Sequence, residues 1–403
     1  MTTRLRPSRY GDGPDMSAEF RLVCACTTWP PSSARTERVV ATAGPHIDGD
    51  RLARIARRHG VAGLVVQGLG DAGLPVPGRL ARIARRRGMV ALEQAAEALR
   101  LQALFDQAGV TLLILKGATL ARRAYGEIAL RDAFDIDLLV TPAQVEPAWR
   151  ILADAGYDPV IPRRPLAGSA RRLFQRLAKD SLHHHRERQL IAELHWRISD
   201  DLAAPYLPPP DRRQVVDIAG SRGLVTLAEE DLFLYLCVHG AAHLWARLKW
   251  VADIAALVSQ APDGGARYWR AAGDAGAGRA VASGLLLAHE LLGTALPPGF
   301  EAPRSCRLRL LVMLARRALL AGGGARDLAG TPFRGWAEFA AKLLIASGPR
   351  PWLAVAQRIL VSAEDVGNIR LPFMLFFLYP LLRLPLLVAR RARRGSGRLA
   401  EAS

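Results

Sequence analysis

The stretch RDAFDIDLLV, residues 131–140, restricts the fold of this chain more than any other. A short apolar run entered through two aspartates one residue apart reads as a strand with acids at its mouth. Asp is depleted in strands, and a charge is costly to bury unless it is paired or bound to a metal. Side chains alternate along a strand, so Asp135 and Asp137 are expected on one face, with Phe134, Ile136 and Leu138 pointing into the core. Two carboxylates that close together repel unless a cation stands between them. Mg²⁺, with Mn²⁺ as the alternative, meets that need: a hard dication takes one or two carboxylates and completes its shell with water and phosphate oxygens. A salt bridge to Arg131 at the strand mouth also explains an isolated DxD, so the flanking segments have to decide.

Two of them do. Upstream, VTLLILKG (110–117) is a β-type apolar run closed by Lys116-Gly117, and ATLARRAYG then has helical spacing. A glycine at such a turn lets the backbone approach a phosphate, and the helix N-terminus behind it favours negative charge. Downstream, SLHHHRERQLIAELHW (181–196) reads as two strands around a polar turn at Arg186–Gln189. Its second strand places Glu193 on one face with Ile191 and His195, and Ala192, Leu194 and Trp196 on the other. A third acid in an apolar strand suits a metal ligand or a general base.

LKG, then R…DIDLLV, then ELHW resembles the bacterial nucleotidyltransferase family proteins of the polymerase-β-like superfamily. The flanking stretches FRLVCACTTWPP, HGVAGLV and AEDVGNIRLPFMLFFLYPLLR resemble the family's flanks, so the likeness covers most of the chain. The resemblance implies an α+β fold: a small mixed-sheet core at 101–205, a helical region at 16–100 and a second helical region at 206–403. It implies transfer of a nucleoside monophosphate from a nucleoside triphosphate to an acceptor hydroxyl or other nucleophile, with release of pyrophosphate. Asp135 and Asp137 become metal ligands, and Glu193 the third ligand or the base. Lys116, Gly117 and Arg131 become nucleotide-binding residues. The turn departs from the superfamily's usual Gly-Gly or Gly-Ser, because Ala118 follows Lys116-Gly117 and offers no hydroxyl. That departure keeps two other readings open: a degenerate nucleotide-binding scaffold, and metal-assisted transfer of another group such as a sugar.

The charge balance points the same way only weakly. The net charge is +18, but 51 of the 55 basic residues are arginine, which reflects a biased genome as much as a selected basic surface. Aromatics make up 6% and do not interleave with basic residues as on a single-strand platform, so small anionic partners are expected rather than nucleic acid. Four scattered cysteines form no zinc or disulfide pattern and read as reduced thiols in a cytoplasmic protein. Residues 1–15 lack an apolar signal region and are expected to be a disordered extension.

Other conspicuous features have plainer readings. RLARIARRHG (51–60) and RLARIARRRG (79–88) are near-duplicates, both expected as amphipathic surface helices stopped by glycine. Three successive histidines, 183–185, cannot all face one ion and read as a surface strand. His239 and His243 share a helix face, but Gly240 stands where a metalloprotease motif needs Glu, so packing is expected there, with His243, Lys249 or Asp253 near the cleft. The apolar run 371–389 carries three prolines and Arg383, which argues against a membrane span; it is expected to be a buried terminus, or a peripheral membrane contact through RRARR.

Overall fold

The computed structural model describes residues 16–163, 166–198, 212–220, 222–328 and 331–346. The extension at 1–15 and the apolar–basic run from 371 onward lie outside the described residues. The chain opens with α1 (Ala18–Thr27), α2 (Ser33–Thr42), α3 (Gly49–His59), α4 (Ala62–Asp71) and α5 (Gly78–Gln107). There follow β1 (Leu113–Ile114), α6 (Ala118–Tyr125), β2 (Ile136–Leu139), α7 (Val145–Asp154), β3 (Tyr157–Ile161), α8 (Gly168–Leu177), β4 (Asp180–His185) and β5 (Leu190–His195). The remainder comprises β6 (Arg213–Ala219), β7 (Arg222–Leu227), α9 (Glu229–Ala242), α10 (Leu248–Gln260) and α11 (Ala266–Asp274). It ends in α12 (Gly278–Leu292), α13 (Cys306–Leu319) and α14 (Pro332–Ile345). The fold is therefore mixed, with helices dominating and a small sheet in the middle of the chain.

These elements form two compact units. The first takes its described residues from 16–102, 113–136 and 212–346. Its helices pack face to face, α1 against α4 and α10 against α12. α1 begins where Ser17 Oγ accepts the Phe20 N–H at 3.2 Å, an N-cap that satisfies one of the first-turn donors. Trp245 is fully buried, and its indole N–H donates to Ser283 Oγ at 2.9 Å. The indole fits because Gly240 and Gly284 leave room: a Cβ on either would stand 2.4 or 2.8 Å from its ring atoms. Cys24 and Cys26 are free and buried, their thiols pushed up to about 12 by burial.

The near-duplicate arginine segments do not behave alike. α3 ends as expected at Gly60, which takes the left-handed conformation, φ 68°. α5 instead runs on through Gly88. That glycine serves a close approach rather than a stop, since a Cβ there would meet Ala129 Cβ at 3.1 Å. β6 and β7 pair antiparallel, which helical periodicity in that region does not reveal.

The second unit takes its described residues from 103–112 and 137–198. Its strands lie in the order β2-β5-β4-β3, so β5 and β4 are interior. β4 and β5 are antiparallel, with Asp180 opposite His195, Leu182 opposite Glu193 and His184 opposite Ile191 on one face. The other face is buried: His183 opposite Ala192 and His185 opposite Leu190. The histidine run is therefore not a surface strand. His183 and His185 turn inward with Ser181, whose Oγ accepts the Trp149 indole N–H at 2.9 Å, and only His184 points the other way. Among the described residues no helix is long and apolar enough to cross a membrane.

Candidate metal centre

Three side chains of the second unit converge on one point of the sheet. β2 supplies Asp137, and β5 supplies Glu193 and His195, which share a face because they are two residues apart. One ligand atom from each lies within 4.8 Å of the others, and among the described residues this is the one group of three or more able to hold a metal ion. His195 Nε2 stands 3.3 Å from Asp137 Oδ1 and 3.4 Å from Glu193 Oε2. The backbone holds the strands to this geometry: Val140 N–H donates to His195 O at 3.0 Å, and Trp196 N–H to Lys179 O at 2.9 Å. Asp137 and His195 are buried, whereas Glu193 is 31% exposed and marks the open side.

The electrostatics are those of a cation site. Burial drives the His195 imidazole toward its neutral form, and Lys179 pushes the same way. Asp137, Glu193 and Asp180 together outweigh both and raise its pKa above the ordinary value. On the far side of the ring, Asp180 Oδ2 lies 3.6 Å from His195 Nδ1 and is itself paired with Lys179. Lys179 Nζ stands 3.5 Å from the same Nδ1, so this ion pair lines the far side of the ring. The spacing that reveals His195 was present in ELHW, two residues beyond Glu193; Asp180 carried no such signal.

The other expected site residues belong to the first unit. Gly117 caps α6 at φ 72°, ψ −122°, a conformation open to glycine, and no side chain caps that helix. Lys116 precedes it and is half-buried. Arg131 is buried and grips Asp253 with two prongs, Nε to Oδ1 and Nη2 to Oδ2, each at 2.9 Å; Tyr125 Oη adds a bond to Oδ1 at 3.0 Å. Asp135 is half-buried immediately before β2.

Phe134 departs from its expected place in the core: it is 43% exposed. Two cations hold its ring there, Arg87 at 4.6 Å and Lys249 at 4.5 Å from the centroid. Lys249 is buried and donates to the Asp132 carbonyl at 3.2 Å. Desolvation, with Arg131 and Lys116 nearby, pushes its ammonium down to about 7. His239 and His243 pack against each other and Trp250, and His243 pairs with Glu338 at 3.3 Å.

No curated protein and no solved structure shows significant similarity to the chain. A family described as uncharacterised nucleotidyltransferase matches residues 45–293, more than half of the sequence and a span that includes every residue of the metal centre. The chain belongs to that nucleotidyltransferase family.

Proposed function

We propose that the chain is a divalent-metal-dependent nucleotidyltransferase built on a polymerase-β-like core. A nucleoside triphosphate is the donor, and a hydroxyl or other nucleophile attacks its α-phosphate. The observation that carries this reading is the convergence of Asp137 and Glu193 on one point of the sheet, inside a stretch that belongs to a nucleotidyltransferase family. The residues fit a dication. Two acids share the point, and the buried His195 Nε2 stands between them, 3.3 Å from Asp137 Oδ1 and 3.4 Å from Glu193 Oε2. Asp137 and Glu193 would hold the ion, with Asp135 as the further carboxylate. When bound, such an ion neutralises charge developing on the phosphoryl oxygens.

The chain's own residues do the rest. Lys116 and the turn at Gly117 receive the phosphates, the lysine as a point charge and the turn through backbone N–H groups. Arg131 spends its guanidinium on Asp253, so its role is to anchor the segment leading into β2. Glu193 serves as ligand, since its Oε2 faces the same point as Asp137.

Calorimetric titration of the four nucleoside triphosphates, with and without Mg²⁺ or Mn²⁺, tests the reading. Wild type should bind at least one of them in a metal-dependent way, and an Asp135→Asn/Asp137→Asn variant should not. Absence of binding by folded wild type under both metals sinks the proposal.

A further inference from the structure

Sequence and resemblance lead to a site of carboxylates alone, the donor set of a hard ion. What the fold assembles is different. Of the three side chains on the point, one is an imidazole, 3% exposed, with Nε2 directed between the two acids. The separations suit a shared ion. Two donors each about 2.1 Å from an ion and at right angles to one another stand about 3 Å apart. Nε2 lies 3.3 Å from Asp137 Oδ1 and 3.4 Å from Glu193 Oε2, close to that spacing.

We infer that His195 is a metal ligand and that its nitrogen turns the site from Mg²⁺ toward a first-row transition-metal dication. The inference rests on the metal site proposed above, but not on the reaction. Two effects act together. Imidazole is a better donor to transition metals than to Mg²⁺, which prefers oxygen. A neutral nitrogen also adds a donor without adding negative charge, and a strongly hydrated ion depends most on that charge to give up its water. Behind the ring, Asp180 Oδ2 and Lys179 Nζ stand 3.6 and 3.5 Å from Nδ1.

The test uses the full chain with Mn²⁺ and Mg²⁺ as probes and no nucleotide. Free Mn²⁺ is counted by electron paramagnetic resonance, and Mg²⁺ affinity comes from competition against it. Wild type should bind Mn²⁺ at least tenfold more tightly than Mg²⁺, and pulsed spectra should show nitrogen coupling from a directly bound imidazole. His195→Ala should remove that coupling and weaken Mn²⁺ tenfold or more, with Mg²⁺ affinity changed no more than twofold. His195→Asp should reverse the preference. Wild-type Mn²⁺ bound without nitrogen coupling overturns the inference, and that measurement does not depend on any variant folding. Equal affinity for the two ions overturns it as well. Nucleotide binding that needs metal but shows no nitrogen coupling would leave the nucleotidyltransferase reading standing and remove this one; nitrogen-coupled Mn²⁺ without nucleotide binding would do the opposite.

Discussion

Arg131 and Asp253 face each other as two planar forks inside the first unit, 3% and 0% exposed, with Nε–Oδ1 and Nη2–Oδ2 both at 2.9 Å. An ion pair this deep is a weak source of net stability but a costly one to break, because either partner alone is a buried charge. Asp253→Ala should therefore destabilise by about 3–5 kcal/mol. A double Arg131→Met/Asp253→Leu variant should recover most of that loss. Urea unfolding of the two variants checks this, and equal destabilisation of both sinks the account.

Asp137 should behave differently. Its carboxylate is repelled by Glu193 but paired with the buried His195 at 3.3 Å, two opposing effects, so Asp137→Asn should cost less unfolding stability than Asp253→Ala. Metal affinity should fall by more than the roughly 10–100-fold that an outer partner of a metal ligand carries. Parallel denaturation and Mn²⁺-binding curves separate the two effects. A large stability loss with intact metal binding would show that Asp137 is structural.

The contrast between these two acids explains how much could be read in the sequence. Strand alternation alone placed Asp137 and Glu193, because Ile136, Leu138, Ala192 and Leu194 fill the buried positions beside them. Phe134 follows the same alternation yet stays partly exposed, since the ring is held by Arg87 and Lys249 from distant segments. Three successive histidines that cannot share one ion suggest a surface strand, but one face of β4 is packed, and His183 and His185 turn into it. Arg131 was legible as a charge beside the site. Its partner, 122 residues away, was not.

His183 makes the interior position of β4 measurable. Burial pushes its pKa down to about 4 from 6.5, so the folded chain resists the proton that the unfolded chain accepts. Stability then rises with pH wherever the unfolded state binds more protons. From this group, stability is complete above about pH 6.5 and is lost as pH falls toward 4, roughly 3 kcal/mol in all. Other buried groups such as His59, pushed down by burial and Arg58, add slope of the same sign. The diagnostic is a difference: His183→Gln should flatten the stability–pH curve between pH 4 and 6.5 relative to wild type. Parallel curves would refute the assignment.

Gly117 tests the turn that precedes α6. At φ 72° and ψ −122° it occupies backbone space that a Cβ disfavours, yet no atom lies within 4 Å of where that Cβ would stand. Gly117→Ala should thus cost about 1–3 kcal/mol through conformation rather than collision. If the turn receives phosphate as proposed, nucleotide affinity should fall further than Mn²⁺ affinity, since the substitution tilts the backbone N–H groups and spares the metal ligands. Gly126, with a positive φ of 73° at the other end of the same helix and the same open space, supplies the control. Gly126→Ala, at ψ −17° in the left-handed well, should cost less stability and leave nucleotide binding alone. If both substitutions weaken nucleotide binding equally, the effect is a general loosening of α6 and the phosphate role of the turn is lost.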